Sequence, residues 1–358
     1  MTPSERRSAI GREFEALEID CLLVSALPNI RYLSGFTGSN GLLVLDPSGK
    51  DVLLTDPRYT LRAAEEADCS VKVVSGSLWA EAAKIAKRKR WLHIGIESTR
   101  TTVASANHLQ EQLPLSAAMQ ATAGVVERHR MRKSPEEIEA IRASARLNSK
   151  AFSRVISKVK SGLRENSLAA EIEYQMRRLG AEKPSFETIV AAGPRSALPH
   201  AQPSEEALEN DQLLLIDMGA VLEGYSSDMT RMVHLGKAGK KVQNLYYAVL
   251  EAQLTAIEFV RAGVRASQVD ATARKVLRRY GYDKLFVHSL GHGVGLEIHE
   301  GPRIGRRDES VLEPGMVITI EPGAYIQGFG GVRIEDMVLV TASGCENLTP
   351  TPKELLIA

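Results

Sequence analysis

The sequence predicts a smaller α/β domain followed by a larger α+β domain, and three observations carry that prediction. Its 358 residues suit two hydrophobic cores better than one. Over residues 1–127, short apolar runs alternate with turns and amphipathic helices. From residue 128 to 358 the order becomes helix, helix, strands, helix, helix, strands, which suggests two halves of similar order.

In the first domain "DCLLVS", "NGLLVLD", "KDVLLTD", "CSVKVVS" and "WLHIGIE" read as strands, and "SLWAEAAKIAKRKR" and "ASANHLQEQL" as helices. In the second, Ser134 can cap a long helix that has Pro135 in its first turn and Glu137 three residues after the cap. A second helix, "SLAAEIEYQMRRLG", stops at Gly180. Residues 184–235 and 311–344 are strand-rich, and between them helices are predicted near 241–262 and 267–280, the latter with Ser267 as its cap.

Composition excludes several classes. With 44% hydrophobic and 25% charged residues and a formal charge of +1, nothing directs the chain to nucleic acid or to a membrane surface. The first thirty residues lack a basic start followed by an apolar run, and no segment offers eighteen consecutive apolar residues, so cytoplasmic residence is expected. Cys21, Cys69 and Cys345 are odd in number and far apart, and read as buried or incidental thiols.

Chemistry enters with "LLLIDMGAVLEGYSSDMTRMV". Strand alternation puts Leu213, Leu215 and Asp217 on one face, and the chain is expected to turn and return as a strand carrying Asp228. One reading is a solvated hairpin in which Asp217 caps a turn and Asp228 pairs with Arg231. The other is a carboxylate pair that must share a proton or a cation. A second pair favours the cation: "GMVITIEPGAY" ends an apolar strand at Glu321, and "GGVRIEDMVLV" places Arg333 and Glu335 on one face of another. Burying one uncompensated charge costs several kcal/mol, and a cation cluster would compensate all four, with Arg333 orienting a carboxylate from behind.

A nitrogen ligand is available in "HSLGHGVGLEIHE", where His288, His292 and His299 lie among three glycines in a chain with 8 histidines. His288 and His292 are either one helical turn apart or on one face of an extended segment. The glycines argue against a regular helix and allow close approach of a ligand to the main chain. His200, in the proline-punctuated loop "AAGPRSALPHAQPS", is either a surface histidine or faces a substrate. An oxygen-rich set with one imidazole suits a dinuclear site of Mn²⁺, Co²⁺, Fe²⁺ or Zn²⁺ better than structural zinc. Two ions about 3.5 to 4 Å apart can activate a water at neutral pH, so the reaction class implied is hydrolysis.

Five ordered blocks, "FETIVAAGPRSALPHAQPS", "LLLIDMGAVLEGYSSDMTRMV", "HSLGHGVGLEIHEGP", "LEPGMVITIEPGAYI" and "GGVRIEDMVLVT", resemble the proline-specific branch of the pita-bread metallopeptidases, which contains Xaa-Pro aminopeptidase and Xaa-Pro dipeptidase. "IRYLSGFTGSNGLLVL" and "LLTDPRY" look like that branch's creatinase-type N-terminal domain. The resemblance implies a pita-bread catalytic domain with pseudo-twofold halves. It also implies two divalent ions, Mn²⁺ foremost, held by Asp217, Asp228, His292, Glu321 and Glu335. By the same resemblance Glu321 is the acid/base group, His200, His288 and His299 attend the substrate and the transition state, and Arg333 stands behind the ligands. The first expectation is Xaa-Pro aminopeptidase, cleaving peptides with proline in second position, with Xaa-Pro dipeptidase as the alternative. Methionine aminopeptidase, creatinase-like hydrolysis and a noncatalytic peptide-binding module rank lower. A homodimer is expected by analogy with the family.

Overall fold

The computed structural model describes residues 1–358 and divides into two compact units, Met1–Arg130 and Met131–Ala358. In the first unit and up to the division the elements are α1 (Pro3–Gly11), β1 (Cys21–Val24), α2 (Leu27–Ser34), β2 (Gly41–Leu45), β3 (Val52–Thr55), α3 (Thr60–Glu66), β4 (Ser70–Val73), α4 (Leu78–Lys89), β5 (His93–Glu97), α5 (Val103–Gln112), β6 (Ala118–Thr122) and α6 (Val125–Met131). They build one six-stranded sheet in the order β4-β3-β2-β1-β5-β6. Apolar strand residues such as Leu23, Leu42, Leu54 and Ile94 pack against Leu78, Ala82, Ile85 and Ala86 of α4 and Leu109 of α5.

The five strands and two helices expected here are present. Sequence reading missed β6 because only Thr122 of that strand is buried, which leaves no apolar alternation to detect. It also missed four helices of seven to nine residues. One of these, α2, depends on a distant carboxylate: Glu97 accepts the N–H groups of Ser25 at 2.6 Å and Ala26 at 2.9 Å. His129, expected in a basic linker, lies in α6 and bonds Glu13.

The second unit holds α7 (Pro135–Ile156), α8 (Glu165–Arg178), β7 (Lys183–Pro184), β8 (Ile189–Ala192), β9 (Gln212–Met218), β10 (Ala220–Leu222), β11 (Tyr225–Ser226), β12 (Met229–Leu235), α9 (Lys240–Phe259) and α10 (Ala266–Arg279). It continues with β13 (Gly291–Gly293), β14 (Glu300–Ile304), β15 (Val317–Ile320), β16 (Gly323–Ile326), β17 (Gly330–Arg333), β18 (Asp336–Val340), β19 (Cys345–Asn347) and β20 (Leu356–Ile357). The two main sheets run β20-β12-β9-β8 and β14-β13-β15-β18-β19. No helix is long and apolar enough to cross a membrane.

Helix α7 starts as its sequence requires, with Ser134 accepting from the Glu137 N–H and Glu137 answering on the Ser134 N–H. Strand β9 shows why the carboxylates end up inside. Leu214, Ile216 and Met218 pack against α7 and α8 in one core, whereas Leu213 and Leu215 belong to the other core, with α9, α10 and the second sheet. Asp217 continues that second face at the point where the core ends.

Several local expectations need correction. Asp228 is not within a strand; it occupies the break between β11 and β12. Glu335 likewise sits between β17 and β18, so it and Arg333 are not on one continuous strand. Arg231 does not pair with Asp228. It is buried and holds Asp336 at 2.7 Å. Ser267 lies inside α10, whose N-cap is Arg265.

Candidate metal centre

The two halves deliver their acids in the same way. In the antiparallel pair β9/β12, Asp217 lies opposite Thr230, and Asp228 immediately precedes Met229, the partner of Met218. In the antiparallel pair β15/β18, Ile320 lies opposite Asp336, so Glu321 follows one strand and Glu335 precedes the other at the same end. The Glu335 N–H donates to the Thr230 carbonyl at 3.3 Å and ties the two strand pairs together.

His292 comes from β13, a short strand between β14 and β15. The glycines beside it serve the backbone rather than a ligand. A Cβ on Gly291 would lie 2.0 Å from the Thr319 carbonyl oxygen, and one on Gly293 would lie 2.1 Å from that of Gly301. Any larger residue would push the neighbouring strands away and displace His292. The extended alternative for the histidine stretch is therefore the one adopted.

Asp217, Asp228, His292, Glu321 and Glu335 all line one cavity of about 610 Å³. Ligand atoms of Asp228, His292 and Glu335 lie within 4.8 Å of one another. His292 Nε2 is 3.6 Å from both Asp228 Oδ2 and Glu321 Oε1. These are not ion pairs, since burial, with the charge of His299 second, pushes His292 down to about 4 and keeps its ring neutral. With Nδ1 donating to the Gly293 carbonyl at 3.0 Å, Nε2 presents a lone pair to the acids.

The electrostatics are those of a site built for cations. Burial first, and then the charges of Asp217 and Glu321, drive Asp228 well above the ordinary carboxylate range. Glu335 is raised by burial and by Asp228. Glu321 is pushed up to about 8 by burial, against the opposing charge of Arg333. Asp217 Oδ2 accepts from Arg333 at 2.6 Å, yet its Oδ1 is buried with no hydrogen-bond partner. An orphaned carboxylate oxygen, three acids that resist ionising together and one aimed imidazole lone pair fit divalent cations with oxygen-rich coordination.

A hydrogen-bonded network stands behind the acids. Thr230 Oγ1 donates to Glu335 Oε2 at 2.7 Å and accepts from Arg333 Nε at 3.1 Å. Arg333 Nη1 donates to the Tyr325 hydroxyl at 2.9 Å, which lies 2.8 Å from His288 Nε2. His288 Nδ1 is 2.8 Å from the Ser289 carbonyl, so both ring nitrogens of His288 are engaged by the protein. Burial, with Arg333 next, lowers His288 to about 4. His200 and His299 are exposed, and His200 lines the cavity together with His299. The His299 ring stands 4.4 Å from that of His292.

Sequence reasoning missed Tyr325, Thr230 and Arg303. Arg303 lies opposite His292 in the β13/β14 register, lines the cavity and donates from Nε to Ser289 Oγ at 2.6 Å. Its signal was its place in "HEGPRIG", directly after the histidine stretch. Tyr325 carried a weaker signal, as the one hydroxyl in the "EPGAYI" segment that begins at Glu321.

Comparison with known proteins identifies the family of the chain. Residues 139–342 match metallopeptidase family M24, and residues 6–132 match the creatinase/prolidase N-terminal domain. An Xaa-Pro dipeptidase of Pyrococcus furiosus is 40% identical over 98% of this chain and 99% of its own. Among solved structures, an Xaa-Pro dipeptidase from Bacillus anthracis superposes with a TM-score of 0.97 at 37% identity, covering 100% of both chains. An X-Pro aminopeptidase from Thermotoga maritima superposes with a TM-score of 0.90 at 36% identity, covering 97% of this chain and 100% of that one. The chain thus belongs to metallopeptidase family M24, in the proline-specific branch of the pita-bread enzymes, and is a peptidase that works with divalent metal ions.

Proposed function

We propose that this enzyme is an Xaa-Pro dipeptidase, hydrolysing the bond between a free N-terminal residue and a C-terminal proline. The observation that carries the reading is Arg303. Arg333, the other arginine on the cavity, is occupied by Asp217, Thr230, Tyr325 and the Pro199 carbonyl. Arg303 makes no ion pair, and its side chain is held by a single hydrogen bond, to Ser289 Oγ. A dipeptide presents its carboxylate one residue from the scissile bond, where such a cation can read it, whereas a longer peptide presents a neutral amide. The dipeptidase names of the relatives support this reading over the aminopeptidase expected first.

In this reading Asp217, Asp228, His292, Glu321 and Glu335 hold two divalent ions, with Mn²⁺ first among candidates because four of the five donors are carboxylates. When bound, the ions supply Lewis-acid polarisation of the scissile carbonyl and a lowered pKa for the attacking water. Phe186, Ile189 and Ala201 on the cavity wall offer apolar surface to the proline ring. Glu321, whose carboxyl resists ionisation, takes the proton of the attacking water and returns it to the proline nitrogen as the C–N bond breaks. His200 and His299, which line the same cavity, stabilise the developing oxyanion. His288, with both nitrogens engaged, fixes Tyr325 and through it Arg333.

The test compares Gly-Pro with Gly-Pro-NH₂ on Mn²⁺-loaded protein. A charge-assisted contact of about 2 kcal/mol predicts roughly 30-fold higher kcat/KM for the free carboxylate. Equal turnover of the two would remove the dipeptidase reading in favour of the aminopeptidase.

A further inference from the structure

A second cavity of about 940 Å³ adjoins the catalytic one and shares His288, Ser289 and Arg303 with it. Its wall adds Lys284, Arg306 and Arg307, all exposed. None of these three, nor Arg303, is paired with a carboxylate. Arg274 also reaches this wall but is neutralised by Asp270 at 2.6 Å. Of the two acids present, Glu309 is paired with Arg265 at 2.9 Å, which leaves Asp308 alone against four cations. A concave wall with such an excess of one sign concentrates ligands of the other. Phe286 and Val287 add apolar groups to its lining.

We infer that this basin receives acidic residues of a peptide that continues beyond the proline, so that the enzyme also cleaves Xaa-Pro peptides followed by Asp or Glu. The inference rests on Arg303 reading the proline carboxylate. Chain that follows the proline must leave the catalytic cavity where that carboxylate would lie, and the wall of Arg303, Ser289 and His288 is where the two cavities meet. A longer peptide has an amide at that point and loses its pairing with Arg303. A carboxylate one or two residues further on regains a cation from Arg306, Arg307 or Lys284. The reaction is unchanged: the bond from the Xaa carbonyl to the proline nitrogen breaks, and water gives its hydroxyl to the carbonyl carbon and its proton to the nitrogen.

The experiment uses Mn²⁺-loaded full-length protein and the peptides Gly-Pro, Gly-Pro-Ala-Ala and Gly-Pro-Asp-Asp, at low salt and at about 0.5 M NaCl. Wild type is expected to favour the Asp peptide over the Ala peptide about tenfold in kcat/KM at low salt. High salt should erase that preference, as should the double variant Arg306→Gln, Arg307→Gln. Gly-Pro, a zwitterion without net charge, should be turned over equally by both proteins and reports correct folding. If the double variant loses Gly-Pro turnover, single Arg307→Gln protein carries the same comparison. Equal wild-type rates on the two longer peptides, or an Asp preference that survives in the variant, overturn the inference. Failure of wild type on Gly-Pro with cleavage of both longer peptides would instead sink the dipeptidase reading.

Discussion

Asp217 holds Arg333 with one oxygen and leaves the other buried without a donor, an arrangement that is costly unless a cation approaches. Glu321 stands at the other side of the same problem, since its carboxyl is raised to about 8 and can both accept and release a proton near neutrality. Replacing Glu321 by Gln should leave the fold intact and lower kcat on Gly-Pro by at least about 10². Asp228→Asn should lower the bound metal measured by elemental analysis, because Asp228 lies among the ligand atoms clustered with His292 and Glu335. A Glu321→Gln enzyme with wild-type kcat would take that residue out of the proton-transfer role. Full metal occupancy in Asp228→Asn would take Asp228 out of the ligand set.

At the scale of elements, the carboxylates sit at strand ends, and a buried arginine holds those ends together. Arg231 donates to the carbonyls of Thr230 and Glu335 at 2.9 and 2.7 Å, and to Asp336 at 2.7 Å. Burial disfavours ionised Asp336, but Arg231 and Lys353 outweigh it and hold the carboxyl below its usual range. Arg231→Met should therefore cost about 3 kcal/mol or more in denaturant unfolding of the metal-free protein; a loss under about 1 kcal/mol would show that Lys353 alone suffices. The sequence made much of this level readable. Asp217 near the end of one apolar strand and Glu321 directly after another break the apolar pattern, and that marked them. What stayed hidden depends on partners far along the chain. The breaks that free Asp228 and Glu335 follow from strand pairing, the glycines of β13 answer to the carbonyls of Thr319 and Gly301, and Arg303 has meaning only beside the cavity. Edge strand β6 and the short helices of the first unit carry too little buried apolar surface to declare themselves.

For the whole molecule, the buried acids link stability to protons and metal. Glu321 has an ordinary value of 4.5 and a folded value of about 8, so in this range the native state binds a proton that the unfolded state has released. Stability of the metal-free protein then falls as pH rises through that window. His288 and His292, lowered from 6.5 to about 4, act in the opposite direction below pH 6.5. The clean interval is therefore about pH 6.5 to 8. There the Tm of metal-free protein should decline with pH, while the increment from added Mn²⁺ should grow as cations replace protons; a metal-free Tm that rises over that interval would contradict the burial of these acids. The proposed dipeptidase activity depends on Arg303 reading the substrate carboxylate beside a divalent metal centre. Its most direct test is kcat/KM for Gly-Pro and Gly-Pro-NH₂ in wild type and in Arg303→Gln protein. Wild type should favour the free carboxylate roughly 30-fold and the variant should lose this preference, whereas a preference of undiminished size in Arg303→Gln would contradict that role for Arg303.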